Sequence, residues 1–184
     1  MLEVDASNAR ARGKMGQIFQ TQNRLAESKI ELEMAIALDG NSVSALRWLA
    51  RVLTWLGEPE AGIPHLEKAI RLSPRDPDVA NNYQALGECH LLLGHVDQAI
   101  DLLRRARAAN PRWWSIPFWL AGALGLKGEL DEARAALAEF IKLEPNMKSL
   151  AQLRARSNVG SPRYHALREN TRNVGLRRAG FPDE

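Results

Sequence analysis

The sequence predicts an all-α protein, a superhelix of antiparallel helix pairs finished by C-terminal capping helices. Three observations carry this prediction. A closing pattern returns at a nearly fixed interval: AIALDGN at Ala35–Asn41, AIRLSPR at Ala69–Arg75, ARAANPR at Ala106–Arg112 and FIKLEPN at Phe140–Asn146. The Gly or Pro within each stands at Gly40, Pro74, Pro111 and Pro145, at spacings of 34, 37 and 34 residues. Upstream of each mark, apolar residues recur three and four apart, which puts them on one helix face. Midway through three of the units a glycine (Gly57, Gly94 or Gly128) permits the positive φ that ends one helix before the next begins.

Taken in order, residues 1–8 (with LEVDASN) read as the closing turn of a preceding repeat, so the chain is expected to be a piece of a longer one. The first unit, 9–42, has the weakest pattern: Arg12, Met15-Gly16 and Phe19, then Asn23, Ser28, Leu32 and Ala35. The second, 43–79, runs Leu46, Leu49-Ala50 and Leu53, then Gly57, Gly62, Leu66 and Ala69. In the third, 80–113, the series is Tyr83, Leu86-Gly87 and His90, then Gly94, Ala99, Leu103 and Ala106. The fourth, 114–146, gives Pro117, Leu120-Ala121 and Leu124, then Gly128, Ala133, Leu137 and Phe140. Small residues where the helices cross let two backbones approach, and each closing Pro suits the start of the next helix because its missing donor costs nothing there. The three extra residues of the second interval lie in SPRDPDVA, where a longer turn costs little.

This series resembles the tetratricopeptide repeat, W-x2-L-G-x2-Y…A-x3-F…P, which the third unit follows slot by slot with conservative changes. Residues 147–184 lie beyond the frame. NMKSLAQLRARS offers Met147, Leu150 and Leu153 at helical spacing. Ser161 reads as an N-cap before Pro162, and Tyr164, Leu167, Thr171 and Val174 form an apolar stripe. Such helices cover the open end of a repeat array.

The balance of 45% hydrophobic and 26% charged residues suits a chain that buries a core, and the net charge is +3. The one cysteine, Cys89, excludes an intramolecular disulfide; with no secretory signal in view, the reading is cytoplasmic. Trp113–Leu126 is uncharged, but its 14 residues fall short of the roughly 20 a membrane helix needs, so no membrane segment is read here. Arg154, Arg156, Arg163, Arg168, Arg172, Arg177 and Arg178 crowd the C-terminal part and read as a solvated helix face.

No chemistry is legible. Cys89, His90 and His95 are neighbours without a second Cys or a ligand spacing, so no metal is assigned. GALGLKG lacks the hydroxyl residue and preceding strand of a phosphate loop. The reading is a non-enzymatic chain with no catalytic residue, cofactor or small-molecule substrate.

The repeat resemblance implies an inner face lined by the first helix of each unit. Its slots hold Arg10, Lys14 and Gln17; Arg47, Trp48, Arg51 and Trp55; Asn81, Gln84 and Glu88; and Phe118, Trp119 and Gly122. Arg10, Arg47 and Arg51 would form a basic wall for an acidic protein or peptide, with Trp48 and Trp119 as aromatic anchors. The alternative is that the tryptophans fill gaps between helices and the arginines face solvent. The carboxylate clamp of chaperone-binding repeats uses Lys and Asn in slots held here by Gly13 and Gln17, or by Arg47 and Arg51, which argues against a chaperone tail.

A narrower resemblance rests on two blocks, IPHLEKAIRLSPRDP (Ile63–Pro77) and LRENTRNVGLRRAGFPDE (Leu167–Glu184). They are similar to the C-terminal repeats of rhizobial class III adenylate cyclases, proteins that make cyclic AMP. That resemblance implies a non-catalytic module of a bacterial signalling protein that binds a protein partner or forms a homodimer. Two alternatives stand beside it: the repeat tail of a winged-helix transcriptional regulator, and an Arg-rich nucleic-acid-binding module.

Overall fold

The glycines and the apolar period produce eight helices in four antiparallel pairs. In this computed structural model, residues 2–75, 78–156 and 159–184 are described, with side chains from residue 8 onward. Helix α1 (Leu2–Thr21) pairs with α2 (Leu25–Leu38), α3 (Val43–Leu56) with α4 (Pro59–Leu72), α5 (Val79–Leu92) with α6 (Val96–Ala109), and α7 (Ser115–Lys127) with α8 (Leu130–Leu143). The pairs stack in chain order, α2 on α3, α4 on α5 and α6 on α7. The turns of the last three pairs hold Gly57, Gly94 and Gly128 at φ of 85°, 81° and 95°, and Asn23 takes the same place in the first at 57°. Asparagine is among the few residues that enter this region at low cost.

Each pair closes over two slots of its second helix. Leu32 and Ala35, Leu66 and Ala69, Leu103 and Ala106, and Leu137 and Phe140 are all buried. Each large side chain among them contributes about 1.5–3 kcal/mol by leaving water. Close crossings need the small residues: a Cβ on Gly62 would stand 3.0 Å from the Ala50 carbonyl oxygen.

Two expectations change, and a third falls outside the described residues. Helix α1 runs unbroken through Ala6 and Ser7, where a closing turn was expected. LEVDASN lacks the Gly or Pro that marks the other four endings, so nothing stops the helix there. The SPRDPDVA link includes Asp76 and Pro77, which lie outside the described residues. The second change concerns the C-terminal part.

Helix α9 (Leu150–Arg156) buries Leu150 over the last pair, with Met147 just before it also buried. The end of the chain returns to it. Pro182 and Asp183 carbonyls accept from the Leu150 and Ala151 amides at 2.9 Å each, satisfying donors that a helix start leaves free. Phe181 packs edge-on against Phe118 and Phe140, at 5.8 and 5.9 Å between ring centroids. Helix α10 (Pro162–Arg168) begins as the sequence indicates, its Ser161 Oγ accepting from the Tyr164 amide at 3.2 Å. A five-residue π turn, Glu169–Asn173, then precedes α11 (Val174–Arg178). The widened turn shifts the helical phase. Thr171 and Val174, expected on the apolar stripe, are only half-buried, whereas Arg172 and Asn173 are buried. Arg172 therefore departs from the solvated arginine face.

Among the described residues no helix is long and apolar enough to cross a membrane.

Candidate functional site

Helices α1, α3, α5 and α7 line the inner face of the array, and the last three of these meet the chain's own C-terminal segment. Residues 160–178 lie along this face, with α10 against α3, the π turn against α5 and α7, and α11 against α7. The anchors follow in order. The Gly160 amide donates to Asn23 Oδ1 at 3.2 Å, and the Ser161 amide to the Trp55 carbonyl at 2.7 Å. The Tyr164 hydroxyl donates to Glu88 Oε1 at 2.6 Å. Arg172 Cζ stands 4.5 Å from the centroid of Trp119 and 4.9 Å from that of Phe118. Arg178 Nη1 donates to the Leu126 carbonyl at 3.0 Å.

Backbone meets backbone at α7. A Cβ on Gly125 would overlap the Gly175 carbonyl, and one on Gly175 would overlap the Gly122 carbonyl. No other residue permits this approach.

The expected partner-facing residues therefore have different fates. Phe118 and Trp119 are buried, covered by Arg172 and, for Phe118, by Phe181 as well. Gln84 is buried too, its Oε1 accepting from Ser115 Oγ at 2.8 Å. Asn81 is half-buried on α5. Arg47 is 14% exposed and pairs with Asp78 at 3.1 Å. Arg51 sits between two indoles, 5.6 Å from Trp48 and 5.2 Å from Trp55. The expected basic wall is thus broken: Arg47 is neutralised and Arg51 is stacked. Trp48 and Trp55 lean on the α2–α3 core cluster. The α1 slots stay the most open, with Arg10 and Lys14 exposed and Gln17 half-buried, and they line a recess that also reaches Asp39 and Ser44.

Enclosure sets the electrostatics. Burial raises the Glu88 carboxyl above its usual range, against the Tyr164 hydrogen bond and the pull of Arg51, Arg172 and Arg168. Burial also raises the Tyr164 phenol, with Glu88 adding to the effect. It lowers Arg172 to about 10, with Arg168 pushing the same way. Cys89 is pushed up to about 12 by burial, so its thiol stays protonated and unreactive. Burial lowers His90, which faces His95 at 3.3 Å between Nδ1 atoms. Among the described residues no three metal-ligating side chains converge.

Most of the C-terminal arginines are engaged. Arg177 pairs with Glu169 and Asp183, Arg154 with Glu169, and Arg156 with Glu144. Arg168 and Arg172, by contrast, have only neutral hydrogen-bond partners. Tyr164, Arg168, Arg172 and Gly175, which build the covered site, were not marked by the repeat pattern, because they lie outside its frame.

Two tetratricopeptide-repeat models match the chain, over residues 41–112 and 85–148. BBSome complex member BBS4 of Bos taurus is 28% identical over 134 residues, covering 72% of this chain and 25% of that protein. The chain thus spans a quarter of that relative's length. The crystal structure of MamA protein superposes with a TM-score of 0.66 at 23% identity, over 94% of this chain and 90% of that one. That of YrrB, a repeat protein with an unusual peptide-binding site, gives 0.61 at 17% identity, over 91% and 84%. These two likenesses concern the fold.

Proposed function

Because this chain is a tetratricopeptide-repeat protein, we propose that its inner face is a peptide-binding groove in a non-catalytic interaction module, held closed by its own C-terminal segment. One observation carries the reading: a helical stretch, 160–178, already occupies the groove through hydrogen bonds, stacked rings and a glycine-to-glycine crossing. A surface that seats one helix so closely has the features of helix-in-groove recognition. An incoming partner engages the open α1 end, where Arg10 and Lys14 favour an acidic segment, and competes with 160–178 for the rest. The same contacts made in trans would pair two copies, which supports the homodimer reading.

The test uses a synthetic peptide of residues 160–178. A Gly175→Leu chain, its own segment expelled and its helicity retained, is expected to capture this peptide. The unaltered chain should bind it far more weakly. A folded Gly175→Leu chain with no uptake would end the groove reading. Light scattering before and after release reads the homodimer directly.

The blocks Ile63–Pro77 and Leu167–Glu184 support a place in a cytoplasmic signalling protein of the class III adenylate cyclase kind, where pairing would bring two catalytic domains together. The second of these blocks includes Arg172 and Gly175, so the stretch with that resemblance is also the groove's occupant. Binding of the full-length parent in the same capture assay, with cyclase activity as the readout, tests this placement.

A further inference from the structure

Between the inner face and the segment that covers it, a half-open cavity of about 290 Å³ remains. Its charges do not balance. Arg51, Arg168 and Arg172 line it against one carboxylate, Glu88, which already accepts from Tyr164. Arg172 donates Nε and Nη2 to Asn173 Oδ1 at 3.0 and 2.8 Å, a neutral partner. Arg168 meets His165 Nδ1 at 2.5 Å, and its buried Nε has no partner. A guanidinium enclosed without a counterion costs several kcal/mol, which an entering anion would offset.

The three forks are also held in place. Arg51 lies 5.2 Å from Trp55, Arg168 lies 4.5 Å from Tyr164, and Arg172 lies 4.5 Å from Trp119. Stacking through its faces leaves a guanidinium's N–H edges to point at an acceptor. Trp113 and Trp114 add flat apolar wall to the same cavity.

We propose that this cavity binds a small organic anion, its carboxylate or phosphate head on Arg168 and Arg172 and its flat body against Trp55, Trp113 and Trp114. The volume lies at the lower edge of small-molecule sites, roughly 300–1,000 Å³, and admits about one ring with its head group. A ligand there touches both the inner face and the covering segment, and so ties the segment into the groove. This goes beyond the interaction reading and is tested without any protein partner.

Calorimetry on the full chain uses benzoate and phenyl phosphate, with benzamide and benzylamine as neutral and cationic controls. The anions are expected to bind saturably, and the stronger of the two names the head group. The controls should not bind. Arg51→Gln and Arg168→Gln should each weaken the anion about tenfold or more, and Arg10→Gln, outside the cavity, should not. Bound anion should also slow amide exchange across 160–178. Absence of saturable binding by either anion, equal binding of benzylamine, or an equal loss in Arg10→Gln would each overturn the site.

Discussion

Helices α1 and α7 present the same repeat surface to the same groove, and they end differently. On α7 the inner slots are Gly122 and Gly125, bare enough for Gly175 to lie on the backbone itself. On α1 the glycine of the inner recess is Gly13, where a Cβ would meet nothing within 4 Å, and Arg10 and Lys14 beside it are exposed. Glycine by itself does not seat a partner. The occupied end combines glycines with aromatic rings that hold Arg172 and a carboxylate that holds Tyr164. The recess at the open end has charge but no aromatic ring in its lining.

The comparison breaks most completely if the crossing is blocked. Gly175→Leu forces a side chain into the α7 backbone and is expected to destabilise by about 3 kcal/mol while exposing 160–178. Hydrogen exchange would locate the loss in that segment, whereas uniform loss across α1–α8 would contradict the separation of array and occupant. Tyr164→Phe comes next. It leaves the Glu88 carboxylate without its donor and should cost about 2 kcal/mol in a urea melt.

A smaller effect depends on pH. Because the Glu88 carboxyl is raised in the folded chain, its contribution is fully present below the ordinary carboxylate range. That contribution is lost as pH rises through the raised value. Glu88→Gln should therefore flatten the fall in stability on that side, and identical pH profiles would show that Glu88 is not the group responsible. Arg172, lowered only to about 10, keeps its charge through this window and does not blur the comparison.

Gly13→Ala is expected to change stability least and in the opposite direction, a gain of up to about 1 kcal/mol from helix propensity in an open slot. Thermal melts of Gly13→Ala and Gly125→Ala side by side sharpen the contrast, since the same chemical change should stabilise one and destabilise the other.

Much of the fold was legible because it is local and repeated. The slots of Leu32, Leu66, Leu103 and Leu137 recur at fixed intervals, and each is buried for the same reason. The N-cap at Ser161 was likewise visible, since its partner amide is three residues away. The site was legible only in part. Trp119 and Glu88 were placed on the inner face, but what covers them lies far along the chain, and Tyr164 is 76 residues from Glu88. No periodicity spans such a distance. Arg172 was assigned to solvent with the other C-terminal arginines as one charged run, but it lies in the π turn and is buried.

Sequence alone thus determined the helix pairs, their turns and their core slots, because those depend on spacing along the chain and on what glycine and proline permit. Tertiary structure alone decided that the inner face is occupied, and by which residues. That outcome depends on Gly175 meeting Gly122 and Gly125 across the groove, and on guanidiniums enclosed between rings from distant helices.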